Sequence, residues 1–131
     1  MTPMERQRVP SGSPYEPLIG FSRAYRAGQH VAVSGTAPVA DDGSVFAPGD
    51  AYAQASRCLD IAIGALSRVG GSVADVVRTR VYLTDGSRWG EVARAHGERF
   101  GEVRPAGTFV VVAGLLDPGW LVEVELDAVI G

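Results

Sequence analysis

The stretch that most constrains the fold is Arg104–Leu126, RPAGTFVVVAGLLDPGWLVEVEL. It reads as two strands around a loop. Thr108–Gly114 is apolar at nearly every position, the pattern of a strand covered on both faces. From Leu121 the pattern alternates. Val122, Val124, Leu126 and Ala128 fall on one side, and Leu121, Glu123, Glu125 and Asp127 on the other. The first set suits a core. The second places carboxylates on the opposite face, and what they meet there is the functional question.

The elements upstream have to supply partners for that pair. Residues 1–20 hold Pro3, Pro10, Pro14 and Pro17 around Ser11-Gly12-Ser13 and read as an extended arm. Phe21–Tyr25 reads as a first strand, Arg26–Gln29 as a hairpin turn and His30–Ser34 as a second strand. Gly35–Gly49 is a loop. A helix is predicted over Ala51–Val69, with Asp50 as N-cap, Gly70 past its end and Ala55, Cys58, Leu59, Ala62, Ala65, Leu66 and Val69 as its apolar stripe. Ser72 with Asp75 has capping-box spacing. Val76–Thr84 is a strand with Val77, Thr79, Val81 and Leu83 on one face and Arg78, Arg80, Tyr82 and Thr84 on the other. A second helix is predicted over Ser87–Phe100, with Trp89, Val92, His96 and Phe100 along one side. The order β-β-α-β-α-β-β gives an α+β domain spanning residues 1–131, one mixed sheet with both helices on one face. The other face, and the apolar Thr108–Gly114, then call for cover by a second copy of the chain, with clefts between subunits as ligand sites.

Composition narrows the chemistry. A net charge of −3 argues against a nucleic-acid partner. No apolar run approaches the roughly 20 residues of a membrane span, and Met1–Pro10 has no apolar segment of a secretory signal. The single cysteine, Cys58, cannot form an internal disulfide, which fits the cytoplasm. All 12 basic residues are arginine. Schiff-base catalysis, pyridoxal phosphate and the phosphate-loop lysine all need a primary amine and are excluded.

Among the polar residues, Glu123 is the best candidate carboxylate. Mid-strand between valines, partial burial would raise its pKa and suit it to proton transfer. Glu123 and Glu125 are equally placed to be cross-strand partners of Arg78 and Arg80, and the pattern leaves both readings open. His96 reads as a packed, hydrogen-bonded histidine, His30 as a surface residue and Cys58 as a core thiol. Two separated histidines and one cysteine give no metal set. Ser34-Gly35-Thr36 lacks the Gly-x-Ser-x-Gly pattern of a nucleophile elbow, and no Gly-x-Gly-x-x-Gly follows a strand. Trp120, beside Asp117-Pro118-Gly119, is placed to line a cleft. Arg104 is placed either to grip a carboxylate in bidentate fashion or to pair with Glu98 or Glu102.

Several blocks together resemble one family: Gly28 with Val31–Thr36, Gln54, Val76–Asp85, Arg104-Pro105-Ala106 and Leu121–Glu125. In order and spacing, over Phe21–Val129, they are similar to the Rid (YjgF-type, reactive intermediate deaminase) family, also labelled endoribonuclease L-PSP. The resemblance implies a chorismate-mutase-like α+β fold, a homotrimer with three inter-subunit clefts, and hydrolysis of small enamines or imines to a keto acid and ammonia without metal or cofactor. It implies that Glu123 positions or activates the attacking water. It also marks departures. Phe21 stands where the family has a tyrosine, Gly107 where it has the substrate-binding arginine, and Ala93 where an asparagine is frequent. A guanidinium–carboxylate contact contributes roughly 1.5–3 kcal/mol, and Gly107 offers only its backbone N–H. The expected cleft, with Phe21, Arg104, Gly107, Thr108 and Trp120 around Glu123, is roomier and more apolar than the family's usual one. The chain reads as a divergent member: a small-molecule hydrolase, alternatively a non-catalytic trimeric binding or protein-stabilising module, and last of all a ribonuclease.

Overall fold

The computed structural model describes residues 4–131. Its elements are β1 (Arg6–Val9), α1 (Tyr15–Ile19), β2 (Ala24–Ala27), β3 (His30–Thr36), α2 (Ala51–Arg68), β4 (Val76–Leu83), α3 (Trp89–Phe100), β5 (Ala106–Val111) and β6 (Val122–Val129). Six strands form one sheet in the order β1-β2-β3-β6-β4-β5. The β4–β5 pair is parallel and every other pair antiparallel. The mixed α+β sheet expected from the sequence is therefore present, and the last strand lies in its middle.

Alternation on β6 sorts the two faces. Val122, Val124, Leu126 and Ala128 are buried with Val31 and Val33 of β3 and Val81 and Leu83 of β4. Helix α2 lies over β3 and β6, and α3 packs beside it. The stripe of α2 buries Ala55, Cys58, Leu59, Ala62 and Leu66. Its alanines let the helix approach the sheet closely, while Leu59, Leu66 and Phe100 fill the remaining volume. Asp50 caps α2 by accepting a 2.9 Å hydrogen bond from Ala53 N–H, and Gly70 leaves the helix at φ 91°. Asp75 accepts from Ser72 N–H at 2.8 Å, as the capping-box spacing requires. The β2–β3 hairpin closes through Gly28-Gln29, with Gly28 at φ 62°.

The structure corrects five expectations. The proline-rich segment holds β1 and α1 rather than only an extended arm; its first residues, 1–3 with Pro3, lie outside the described residues. Val9 seats β1 because it is buried and because Val9 C=O accepts from Arg23 N–H at 2.8 Å. The next strand begins at Ala24, not Phe21. In β4, Val77 is 47 % exposed and Val76 is buried instead, since the pairing with β6 shifts register between Val76 and Arg78. A bulge moves one residue to the other face and breaks strict alternation. Finally, β5 ends at Val111 and is an edge strand. Val110 and Val111 are 38 % and 63 % exposed, so this chain alone does not cover both faces of the apolar run. Trp89, expected on the packed side of α3, is 61 % exposed at the start of that helix.

One buried polar side chain joins the helix layer to the strand carrying the carboxylates. Gln54 on α2 is fully buried. Its amide donates to Gly119 C=O at 3.1 Å, and its carbonyl accepts from Leu121 N–H at 2.9 Å. It thus fixes the approach to β6 and the position of Trp120. Gln54→Leu leaves both backbone groups without partners and is expected to lower unfolding free energy by about 1–3 kcal/mol, read by chemical denaturation.

Candidate active site

The open face of the sheet carries the charges. Glu125 of β6 lies beside Arg80 and Tyr82 of β4. Arg80 Nη1 is 3.3 Å from Glu125 Oε1 and 3.6 Å from Asp127 Oδ2, and Tyr82 O–H donates to Glu125 Oε1 at 2.8 Å. For Glu125 the cross-strand reading is therefore correct, with Arg80 and not Arg78 as the partner.

Glu123 differs. It faces Tyr82 in register, yet it makes no ion pair and no side-chain hydrogen bond among the described residues. Its carboxyl sits over Gly35 of β3. A Cβ built on Gly35 would lie 3.1 Å from both Glu123 Cδ and Oε1. The space exists because β3 and β6 change register between Val33 and Thr36, which turns a residue without a side chain toward the carboxylate. Half-burial pushes the Glu123 carboxyl above its ordinary value; Arg23 nearby opposes that shift and Glu125 adds to it. Burial also holds the Arg23 guanidinium below its ordinary value, with Glu123 partly restoring it.

Glu123 and Arg23 line a cavity of about 640 Å³. Its walls come from the 11–21 segment, the end of β3, the following loop and the loop before β6. Phe21 and Trp120 are both part of it. Trp120 is held from below by Gln54 and from the side by Tyr15, in an edge-to-face contact at 6.4 Å. The end of β3 is itself pinned: Ser34 O–H donates to Ser22 C=O at 2.6 Å, and Arg23 Nη1 donates to Gly35 C=O at 2.6 Å and to Thr36 Oγ1 at 3.1 Å.

Of the residues expected at the site, Glu123, Phe21 and Trp120 come together. Arg104, Gly107 and Thr108 do not join them within one chain. They belong to β5 or its approach, and β5 lies beyond β4 from β6, two strand spacings or roughly 10 Å away. Arg104 is exposed, sits at φ 54° and pairs with neither Glu98 nor Glu102. Gly107 is opposite Thr79, and a Cβ there would meet Thr79 Oγ1 at 3.2 Å. His96 bonds Thr79 Oγ1 at 2.8 Å and stacks against Phe100 and Phe109, so it is a packed histidine. Burial lowers its pKa. Cys58 is buried with its thiol directed at Val122 C=O, 3.7 Å away, and burial raises its pKa well above the ordinary value. The residue that sequence reasoning missed is Arg23. Only the structure marks it: Ala24 is buried, which assigns Arg23 and Tyr25 to the opposite face.

Gly35 gives a direct test of the geometry. Its backbone is not in the left-handed region, so alanine is tolerated there, but the new Cβ must displace the Glu123 carboxyl. Gly35→Ala is expected to retain the fold by circular dichroism. It should reduce any activity that uses Glu123 by on the order of 10-fold to 100-fold, the usual cost of misplacing a reacting group.

Known proteins resemble this chain over most of its length. The family model described as endoribonuclease L-PSP matches residues 12–130. A crystal structure of a YjgF/YER057c/UK114 family member from Mycobacterium tuberculosis, Rv2704, superposes with a TM-score of 0.87 at 44% identity, covering 96% of this chain and 100% of that one. An uncharacterized protein of Streptomyces coelicolor, SCO2049, is 41% identical over 98% of this chain and 95% of its own length. The 3-aminoacrylate deaminase RutC of Acinetobacter baylyi is 34% identical over 88% of this chain and 90% of its own length. The chain is a member of the endoribonuclease L-PSP family, the YjgF or Rid family, and has its α+β fold.

Proposed function

We propose that this protein hydrolyses a small imine or enamine to a carbonyl compound and ammonia, in the cavity at Glu123 and without metal or cofactor. The observation that carries this reading is an unpaired, half-buried carboxylate with a raised pKa on the wall of a cavity. Structural ion pairs take up Glu125 and Asp127 and leave Glu123 free. A family relative named for 3-aminoacrylate deamination is consistent with it.

The chemistry asks little beyond one base. A water held by Glu123 attacks the imine carbon, and its oxygen forms the new bond as the carbon–nitrogen π pair moves to nitrogen. Glu123 takes the water proton and returns it to nitrogen. Glu123 then takes the carbinolamine hydroxyl proton and delivers it to nitrogen, the carbon–nitrogen bond breaks, ammonia leaves and the carbonyl forms. A carboxyl with a raised pKa accepts and returns that proton near neutral pH more readily than an ordinary one. Phe21 and Trp120 supply an apolar wall that keeps bulk water from the reacting carbon.

The homotrimer belongs to the same proposal. Val110 and Val111 on the edge strand, with Val77 and Leu116, give apolar surface for neighbouring copies to cover. In that assembly Gly107 and Thr108 of one copy close the cavity of the next. Nucleic acid is not the proposed ligand: the chain carries a net charge of −3, and His96 is occupied by Thr79 and its aromatic neighbours.

Ammonia and keto-acid release from freshly generated 2-iminopropionate tests the reaction. Wild type is expected to exceed the buffer rate clearly. Glu123→Gln should lose a factor of roughly 10²–10⁴ in kcat while its oligomeric state, read by light scattering, is unchanged. A binding module instead shows no turnover in wild type, and the substitution then changes ligand affinity alone. The pH profile carries a sign. Glu123 must be ionised to accept a proton, so kcat/KM should fall as pH drops through its pKa. Because that pKa is raised, the acid limb should lie above the ordinary glutamate value of about 4.3. A limb at or below that value contradicts the assignment.

A further inference from the structure

Arg23 is the only cationic residue among the described residues that line the Glu123 cavity. Its backbone is locked on both sides. Arg23 N–H donates to Val9 C=O at 2.8 Å, and Arg23 C=O accepts from Ser34 N–H at 3.0 Å. Ala24, the next residue, is fully buried, so Arg23 projects from the same open face as Glu123. Arg23 Nη1 reaches Gly35 C=O at 2.6 Å, and the Glu123 carboxyl lies over the same glycine, 3.1 Å from where a Cβ would stand. Both charged side chains therefore meet at Gly35. A charged head stands on each side of a position that has no side chain.

The guanidinium is only half used. Nη1 donates to Gly35 C=O and Thr36 Oγ1. Nε and Nη2 make no hydrogen bond among the described residues, and no Arg23 nitrogen lies within the 4.0 Å ion-pair distance of Glu123. The Phe21 ring, 5.4 Å from the guanidinium carbon, supports the cation without taking up a donor. Nε and Nη2 form one edge of the guanidinium fork, the edge that holds a carboxylate through two parallel hydrogen bonds. Nη1, tethered to β3, fixes the direction in which that edge points. Neither nitrogen is among the buried polar atoms that lack a partner in the described residues, so both are open to the cavity and available to a ligand.

We infer that Arg23 anchors the substrate carboxylate, holding it by Nε and Nη2 while Glu123 serves the reacting carbon across Gly35. This assignment rests on reading the cavity as the hydrolytic site, and it names the residue of this chain that takes a carboxylate next to the reacting carbon. It also explains how a chain with Gly107 in place of an arginine on β5 can hold an anion. The guanidinium is supplied from the residue before β2, in the same chain as Glu123.

The test compares a stable carboxylate with its uncharged analogue. Affinities for pyruvate and pyruvamide are measured by titration calorimetry on wild type, Arg23→Gln, Arg23→Lys and Arg104→Gln. Wild type should prefer pyruvate. Arg23→Gln should weaken pyruvate at least 10-fold and Arg23→Lys several-fold, since lysine keeps the charge but loses the fork. Arg104→Gln should leave pyruvate within twofold, and pyruvamide should vary less than twofold throughout. With the imine substrate, Arg23→Gln should raise KM more than it lowers kcat. Unchanged pyruvate affinity in Arg23→Gln, or its loss in Arg104→Gln instead, overturns the assignment. Should Arg23→Gln fail to fold because Gly35 and Thr36 lose their tether, Arg23→Lys and the wild-type preference decide, and a wild type indifferent to the charge overturns it. The hydrolase reading fails separately, if Glu123→Gln retains full turnover, and Arg23-dependent pyruvate binding would survive that result.

Discussion

The structure depends on the alternation of β6. Its even-numbered residues are the centre of the core, and its odd-numbered ones are three carboxylates and Val129 on the opposite face. A one-residue slip would drive Glu123, Glu125 and Asp127 into the helix layer and expose four apolar side chains, so the register is strongly fixed. Neighbouring strands then decide what each carboxylate meets. On the β4 side, Arg80 and Tyr82 satisfy Glu125, and Arg80 also approaches Asp127. On the β3 side, Glu123 meets Gly35 and an opening. One carboxylate is left free because of which residues lie beside it, not because of its own local sequence.

That distinction explains how much could be read in advance. The α+β order, α2 with its cap and stripe, the packed His96, the core Cys58 and the two faces of β6 all follow from period and capping chemistry, which are local. The choice between Glu123 and Glu125 is not local. Both sit between apolar residues in the same strand, and only the register with Arg80 separates them. Val77 was misplaced because a bulge changes the count of residues without changing their type. In β1, Val9 alone is buried, so four residues among prolines left too little pattern to find.

Arg23 was hidden for a related reason. Its neighbours read as part of a strand starting at Phe21, and a single arginine on such a strand has no distinguishing period. What marks it is its place across β3 from Glu123, with Gly35 between them and one edge of the guanidinium unengaged. Gly107, Thr108 and Arg104 illustrate the reverse case. Their sequence positions suggested a site, whereas one chain places them on the far edge of the sheet, where only another copy can bring β5 to a cavity.

The proposed chemistry requires Glu123 to be a free, partly desolvated carboxylate rather than a structural ion-pair partner. The most direct measurement is a carbon-13 NMR titration of the side-chain carboxyl groups, with Glu123 assigned by its substitution. The account predicts that the Glu123 carboxyl titrates above the ordinary glutamate value of about 4.3, and that adding pyruvate perturbs its resonance. A Glu123 resonance that titrates at or below that value, and does not respond to pyruvate, would contradict it.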